Sequence, residues 1–258
     1  MIRFFPFLVA GFLIVLPSLV KADGDDTAND LARDEVAAIK KKLVTAQTAL
    51  GAPPEGYTRT REDFDLPTSG NTSGGKMYPI NSGVREEYGS KAKKEGEANQ
   101  KKLEADFQQK YAEAMAKNDI EAIGKLSMEM QQGAAQNMAA MSTPKEPITV
   151  QIHFNSNPYD AIDPDAVVME KPGVIALKKK NQSEESKGKV SLYFDPVILK
   201  DTKKLSKIEL RSPEGGIAKK LAVFNIAINL EGPLEAAEAW AKKIDTKAIL
   251  GLIDGASK

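Results

Sequence analysis

At Pro144 and Pro147 the hydrophobic period of this chain changes, and that change constrains its fold more than any other feature. Upstream, apolar residues recur at steps of three and four, the spacing that lines one side of a helix. Downstream they alternate. Ile148, Val150, Ile152 and Phe154 are separated by Thr149, Gln151, His153 and Asn155, the pattern of a strand with one buried and one wet face. The expected fold class is therefore α+β: N-terminal helices including an antiparallel helical hairpin, then a C-terminal antiparallel β-meander with C-terminal helices.

Residues 144–258 carry the sheet. Segments 166–170 and 174–179 flank Lys171-Pro172-Gly173, where Pro and Gly suit the type II turn of a hairpin. Val190, Leu192 and Phe194 form the inner face of a further strand, and Ile208 with Leu210 that of the next. Phe224, Ile226, Ile228 and Leu230 alternate with Asn225 and Asn229 in a last, long strand. Pro233 opens a helix whose inner face is Leu234, Ala237, Trp240 and Ile244, and Asp245 caps a short final helix.

Ahead of the sheet, residues 23–51 read as an amphipathic helix with a stripe through Ala32, Val36, Ile39, Leu43, Ala46 and Leu50. Asp26 or Thr27 serves as its cap, and Gly51 with Pro53 and Pro54 ends it. Residues 52–84 are rich in Pro, Gly, Ser, Thr and Asn without sustained periodicity, which predicts a flexible linker. Residues 85–143 form the helical hairpin. Its first helix is very polar, Asn118 breaks it, and Asn118 with Glu121 makes a variant capping box for the second.

The first 22 residues give an address. Arg3 is a short basic start, Phe4 to Val20 is apolar apart from Gly11 and Ser18, and Val20-Lys21-Ala22 offers small residues for cleavage. This is the layout of a secretory signal peptide, with an uncleaved membrane anchor as the alternative. The chain has no cysteine, so an exported protein of this kind must stand on its hydrophobic core alone. That favours a bacterial periplasmic or secreted setting over a disulfide-rich one. With 36 basic and 36 acidic residues there is no charge bias toward nucleic acid.

The wet face of the sheet is the candidate site. It collects Thr149, Gln151, His153, Asn155, Ser191, Tyr193, Asp195, Asn225 and Asn229, and amides, a phenol, a carboxylate and the single histidine suit a polar ligand. The ligand-binding candidates are His153, Tyr193, Asp195, Asn225 and Asn229, with no catalytic or metal-ligating residue assigned and no cofactor. The ordinary alternative is an unremarkable solvated face, or one covered by the N-terminal helices. Other motifs carry less. Gly70 to Lys76 spells GxxxxGK, but Met77 replaces the magnesium-holding Ser or Thr and Pro79 opposes a following helix. Ser90-x-x-Lys93 lacks the companion motifs of penicillin-binding enzymes. Asp160, Asp163 and Asp165 share a loop but lack the glycine and closing glutamate of an EF-hand.

Four of the eight methionines lie in MEMQQGAAQNMAAM, residues 128–141. Thioethers suit Cu(I), yet on a helix Met130, Ala134, Met138 and Met141 fall on one face with Ile123 and Leu126, while Met128 points elsewhere. The expectation is thus an exported, non-catalytic binding or interaction protein with a protein or envelope partner. A methionine-based periplasmic copper carrier and a hydrolase centred on His153 are the alternatives.

Overall fold

The structure, a computed structural model, describes residues 29–70, 72–73, 76–141, 145–156, 159–184, 186–197, 201–213, 217 and 219–256. The expected signal peptide and the caps Asp26 and Thr27 lie outside the described residues. In chain order the elements are β1 (Asn29–Asp30), α1 (Arg33–Ala49), β2 (Tyr57–Asp65), β3 (Ser69–Gly70), β4 (Thr72–Ser73), β5 (Lys76–Met77) and β6 (Ser82–Ser90). There follow α2 (Lys91–Ala116), α3 (Ile120–Met141), β7 (Ile148–Phe154), β8 (Tyr159–Ala161), β9 (Val167–Lys171), β10 (Val174–Lys180) and β11 (Lys187–Phe194). Last come β12 (Lys207–Glu209), β13 (Ile226–Pro233), α4 (Leu234–Ala241) and α5 (Thr246–Leu250). The fold is α+β: helices, a seven-stranded antiparallel sheet and C-terminal helices.

The strand order β2-β6-β7-β13-β11-β10-β9 follows from burial. β9, β10 and β11 are a meander, with Gly173 in the left-handed conformation (φ 75°) that a type II turn requires. β13 then enters between β7 and β11. Its Ile226, Ile228 and Leu230 are completely buried, so the strand with the strongest apolar face takes a central place. On that face the core runs from Ile148, Ile152 and Phe154 through Leu192 and Phe194 to the helices. α1 contributes Ile39, Leu43 and Ala46, α4 contributes Ala237 and Trp240, and α5 contributes Ile249. Trp240 ties three elements together: its ring meets Tyr88 edge-on at 4.8 Å, and its indole N–H donates to the Leu50 carbonyl at 2.9 Å.

Residues 52–84 are not a plain linker, and the helical region does not begin at 85. They hold β2 and the first three residues of β6, an antiparallel pair at the edge of the main sheet. β2 reads YTRTREDFD and is largely exposed, so an edge strand stabilised by hydrogen bonds and ion pairs leaves no apolar alternation to read. In β6 the inward positions are Val84, Glu86 and Tyr88. A buried charge at the middle one hides the period. α2 accordingly starts at Lys91, capped by the Ser90 hydroxyl accepting from the Lys93 N–H at 3.4 Å. The SxxK pattern is a helix cap.

The helical hairpin is inserted between two strands that are already paired, Tyr88 of β6 facing Ile148 of β7. α2 and α3 pack on each other, and α2 meets β6 at its root. Asn118 takes a left-handed conformation (φ 52°) at the break, and Asp119, rather than Asn118, caps α3 by accepting from the Ala122 N–H at 3.0 Å. Within the hairpin a Cβ at Gly133 would lie 2.8 Å from Leu103, so glycine permits the close approach there. Among the described residues no helix is long and apolar enough to cross a membrane.

Candidate functional site

The side of the sheet opposite the core is less polar than its alternation implies. Ile175, Leu177, Tyr193 and Ala227 form a second apolar cluster, closed by Ile208 and Leu210. Ile208 belongs to β12, which pairs with β8 in a separate two-stranded ribbon rather than continuing the main sheet. A ribbon of the chain's own second half covers part of this face, and α1 lies on the other side of the sheet with the main core.

His153 and Tyr193 occupy one rung of the sheet, separated by Ala227 of β13. Two strand spacings put them about 10 Å apart. Gly83 stands beside His153 on β6, where a Cβ would lie 2.9 Å from the Ile152 carbonyl oxygen and 3.4 Å from His153 Nδ1. One rung along, Asn229 accepts a 2.8 Å hydrogen bond from the Ser191 hydroxyl. The Tyr193 hydroxyl donates to Asp160 at 3.1 Å. Burial first, and then the Asp160 charge, push the Tyr193 phenol up to about 12.

Asp195 and Asn225 leave this face. Asp195 follows the end of β11 in a left-handed conformation (φ 57°) and, 2% exposed, pairs with Arg211 at 2.7 Å. Asn225 precedes β13 and donates to the Arg211 carbonyl at 2.7 Å, its own side-chain oxygen being buried with no partner among the described residues. Asn155, placed on the wet face by its alternation, instead turns inward (φ 57°) as a clamp. Its amide donates to the carbonyls of Ile80 and Ala222, and its oxygen accepts from the Phe224 N–H at 2.8 Å. Strand termination explains Asp195 and Asn155: past the last ladder bond a short polar side chain can turn the backbone left-handed and bond to nearby loops.

Of the five candidates, then, the structure brings His153, Tyr193 and Asn229 onto one face and gathers Asp195 and Asn225 around Arg211. A cleft of about 710 Å³ beside Tyr193 is lined by Asp160, Asp163 and Asp165 and by Lys179 and Lys189. Asp163 caps a single turn of 3-10 helix by accepting from the Asp165 N–H, which accounts for part of the acidic loop. Among the described residues no group of three or more His, Cys, Asp or Glu side chains is arranged to hold a metal ion.

A second cluster escaped the sequence reading. Under α1, a cleft of about 460 Å³ opens on Arg59, Glu62, Glu86 and Tyr88. Arg59 donates to both carboxylates at 2.7 Å, and the Tyr88 hydroxyl donates to Glu86 at 3.2 Å. The hydrogen bond to Glu86 holds the guanidinium above its ordinary range, and burial raises the Tyr88 phenol. The Glu86 carboxylate is 1% exposed, so this pair fastens the edge strand β2 to β6. The signal for it was present but ambiguous: a glutamate at an inward position of a strand whose neighbour carries arginine.

His153 yields a pH prediction. Burial, then the Lys189 charge, depress its pKa below the ordinary value of 6.5. A histidine with a lower pKa in the folded state resists protonation there, so stability is lost as pH falls from the unfolded value through the folded one. His153→Gln is expected to flatten the urea-midpoint profile below about pH 6.5 while leaving it unchanged at pH 8. Parallel profiles for the two proteins would contradict this.

Fold and face together define a class: an α+β protein in which an antiparallel sheet supports a protruding helical arm. The chain matches no known protein-family model, and no curated protein and no solved structure proved similar to it.

Proposed function

We propose that this is an exported, non-catalytic interaction protein whose sheet and core present the α2–α3 hairpin as a binding arm to a protein or envelope partner. One observation carries the reading: two helices of 26 and 22 residues, about 39 and 33 Å long, leave the sheet with almost nothing buried. In α2 the buried residues are Gly96 and Ala114, while Met115, Ile120, Met128 and Met138 are exposed. An arm of that length with so little core of its own gains stability from what it binds. The apolar run from Phe4 to Val20 supports export by a cleaved signal peptide or retention by an N-terminal anchor.

The alternatives have less behind them. A hydrolase would draw on the His153 face, where the hydroxyls of Tyr193 and Ser191 are engaged with Asp160 and Asn229. A copper carrier would draw on the methionines, yet Met128 and Met138 are ten residues apart, about 15 Å along the helix. Met138 also lies outward, 68% exposed, contrary to its expected place on the inner stripe. The Met141 side chain lies outside the described residues.

The test is cross-linking in intact cells, followed by capture of the exported protein and mass spectrometry. A parallel variant replaces residues 91–144 by a short turn joining β6 to β7. The expected result is a specific partner cross-linked to the intact chain and lost from the variant, whose melting temperature stays within a few degrees because its sheet pairing is untouched. Recovery of the intact chain alone, or equal capture by the shortened one, would refute the proposal.

A further inference from the structure

The hairpin's outer surface is not uniform. The exposed face of α2 is densely charged, with Lys101, Lys102, Glu104, Asp106, Lys110 and Glu113. α3 differs: its charges are Glu121, Lys125 and Glu129, and from Met130 to Met141 it has none. It carries two stripes. Ile123, Leu126, Met130, Gly133 and Asn137 are half-buried against α2. On another side, Gly124, Met128, Gln131, Ala135 and Met138 recur at steps of four, three, four and three, and all are exposed. At 100° per residue these five fall within about 80° of arc. This is the spacing of a helix seam, uncharged throughout and facing away from the rest of the molecule.

We infer that this outer stripe of α3 is the interface of a symmetric dimer, in which α3 lies antiparallel against α3 of a second copy and the two hairpins form a four-helix bundle. The inference rests on the hairpin being an interaction arm and names one occupant for it. Two features select a second copy. The stripe is self-complementary in size: with the two-fold axis at Gln131, Met138 faces the partner's Gly124, and Met128 comes level with the partner's Ala135 to within one residue's rise. On either side of the central Gln131 pair a large side chain thus meets a small one, as helix packing requires.

The charges agree. An antiparallel pairing lays the half of α3 that carries Glu121, Lys125 and Glu129 over the partner's uncharged half. A parallel pairing would instead stack each charge on its like. Met is also well suited to a contact that forms and parts, since its flexible side chain repacks at little cost.

The chain's lack of cysteine makes the test clean. In otherwise unaltered exported protein, Gln131→Cys puts a thiol at the proposed axis, and Glu129→Cys puts one on the side of the same helix, about 160° away. Under mild oxidation Gln131→Cys should form a covalent dimer at least tenfold faster than Glu129→Cys. Sedimentation of the unmodified chain over a concentration series should show monomer and dimer. Met128→Glu should weaken the dimer at least tenfold, and Met128→Glu with Ala135→Lys should restore it, because each copy then sets a glutamate against the partner's lysine. A chain that sediments as a monomer throughout, equal oxidation of the two cysteine variants, or a dimer indifferent to Met128→Glu would each overturn the inference. If the monomeric chain nonetheless captures a different protein through the hairpin, the interaction-arm reading survives and the self-association is refuted.

Discussion

Replacing Trp240 with alanine should cost about 3–5 kcal/mol, the largest loss expected from any single substitution in this chain. Trp240 is 1% exposed, and it links α4 to strand β6 and to Leu50 at the end of α1. Removing it deletes the edge-on contact with Tyr88 at 4.8 Å and leaves the Leu50 carbonyl without its donor. A cavity the size of an indole then sits between three elements that cannot all close on it. Marginal domains have only about 5–15 kcal/mol in total, and with no cysteine in the chain no disulfide adds to it. Urea unfolding followed by circular dichroism should show the midpoint collapse with the slope retained. Trp240→Phe should recover part of the loss, because the ring contact returns while the hydrogen bond does not. A midpoint unchanged in the alanine variant would mean that α4 does not pack as described.

The second large effect belongs to Arg211. Asp195 is buried beside it, and Arg211→Met leaves that carboxylate without its cation. Breaking a fully buried pair costs about 3–5 kcal/mol. Arg211 is 35% exposed, so solvent reduces the expected loss to about 2 kcal/mol at pH 7.

The pH dependence distinguishes this from lost packing. Burial raises the Asp195 carboxyl above its ordinary value of 3.8, against the opposing pull of Arg211. A carboxyl with a higher pKa in the native state holds its proton better there, so stability falls as pH rises from the unfolded value through the folded one. Without Arg211 that window extends upward. The penalty of Arg211→Met should therefore be greatest at neutral pH and shrink toward about pH 4. Adding Asp195→Asn should relieve most of it, since asparagine tolerates the left-handed backbone at this position. A penalty independent of pH, or one that Asp195→Asn deepens, would argue against a charge left unpaired.

His153, Trp240 and Met138 mark how far the sequence can be read. Strict alternation placed His153 on the outer face of β7, and helical spacing placed Trp240 inward on α4. Both assignments agree with burial, because each depends on a local period that the chain itself carries. Met138 read equally well as inward, and the structure exposes it. Which of two possible stripes faces α2 is decided by the crossing of two helices and by the Gly133–Leu103 contact, and neither has a local signature.

The sequence by itself determined the α+β class, the site of the helical hairpin, the inner faces of the central strands, and the ends marked by Gly51, Gly173 and Asp245. These follow from hydrophobic period and backbone preference, which act within a few residues. Tertiary structure alone decided that the Pro- and Gly-rich segment holds β2 and the start of β6, that β13 enters between β7 and β11, and that Asp195 and Asn155 serve loops. It also decided that a ribbon of β8 and β12 covers part of the supposed polar face. Each depends on a partner distant in the chain: an arginine for Glu86, a ladder on both sides of β13, a loop carbonyl for Asn155. Local spacing cannot encode such partners, because they exist only once the chain has closed on itself.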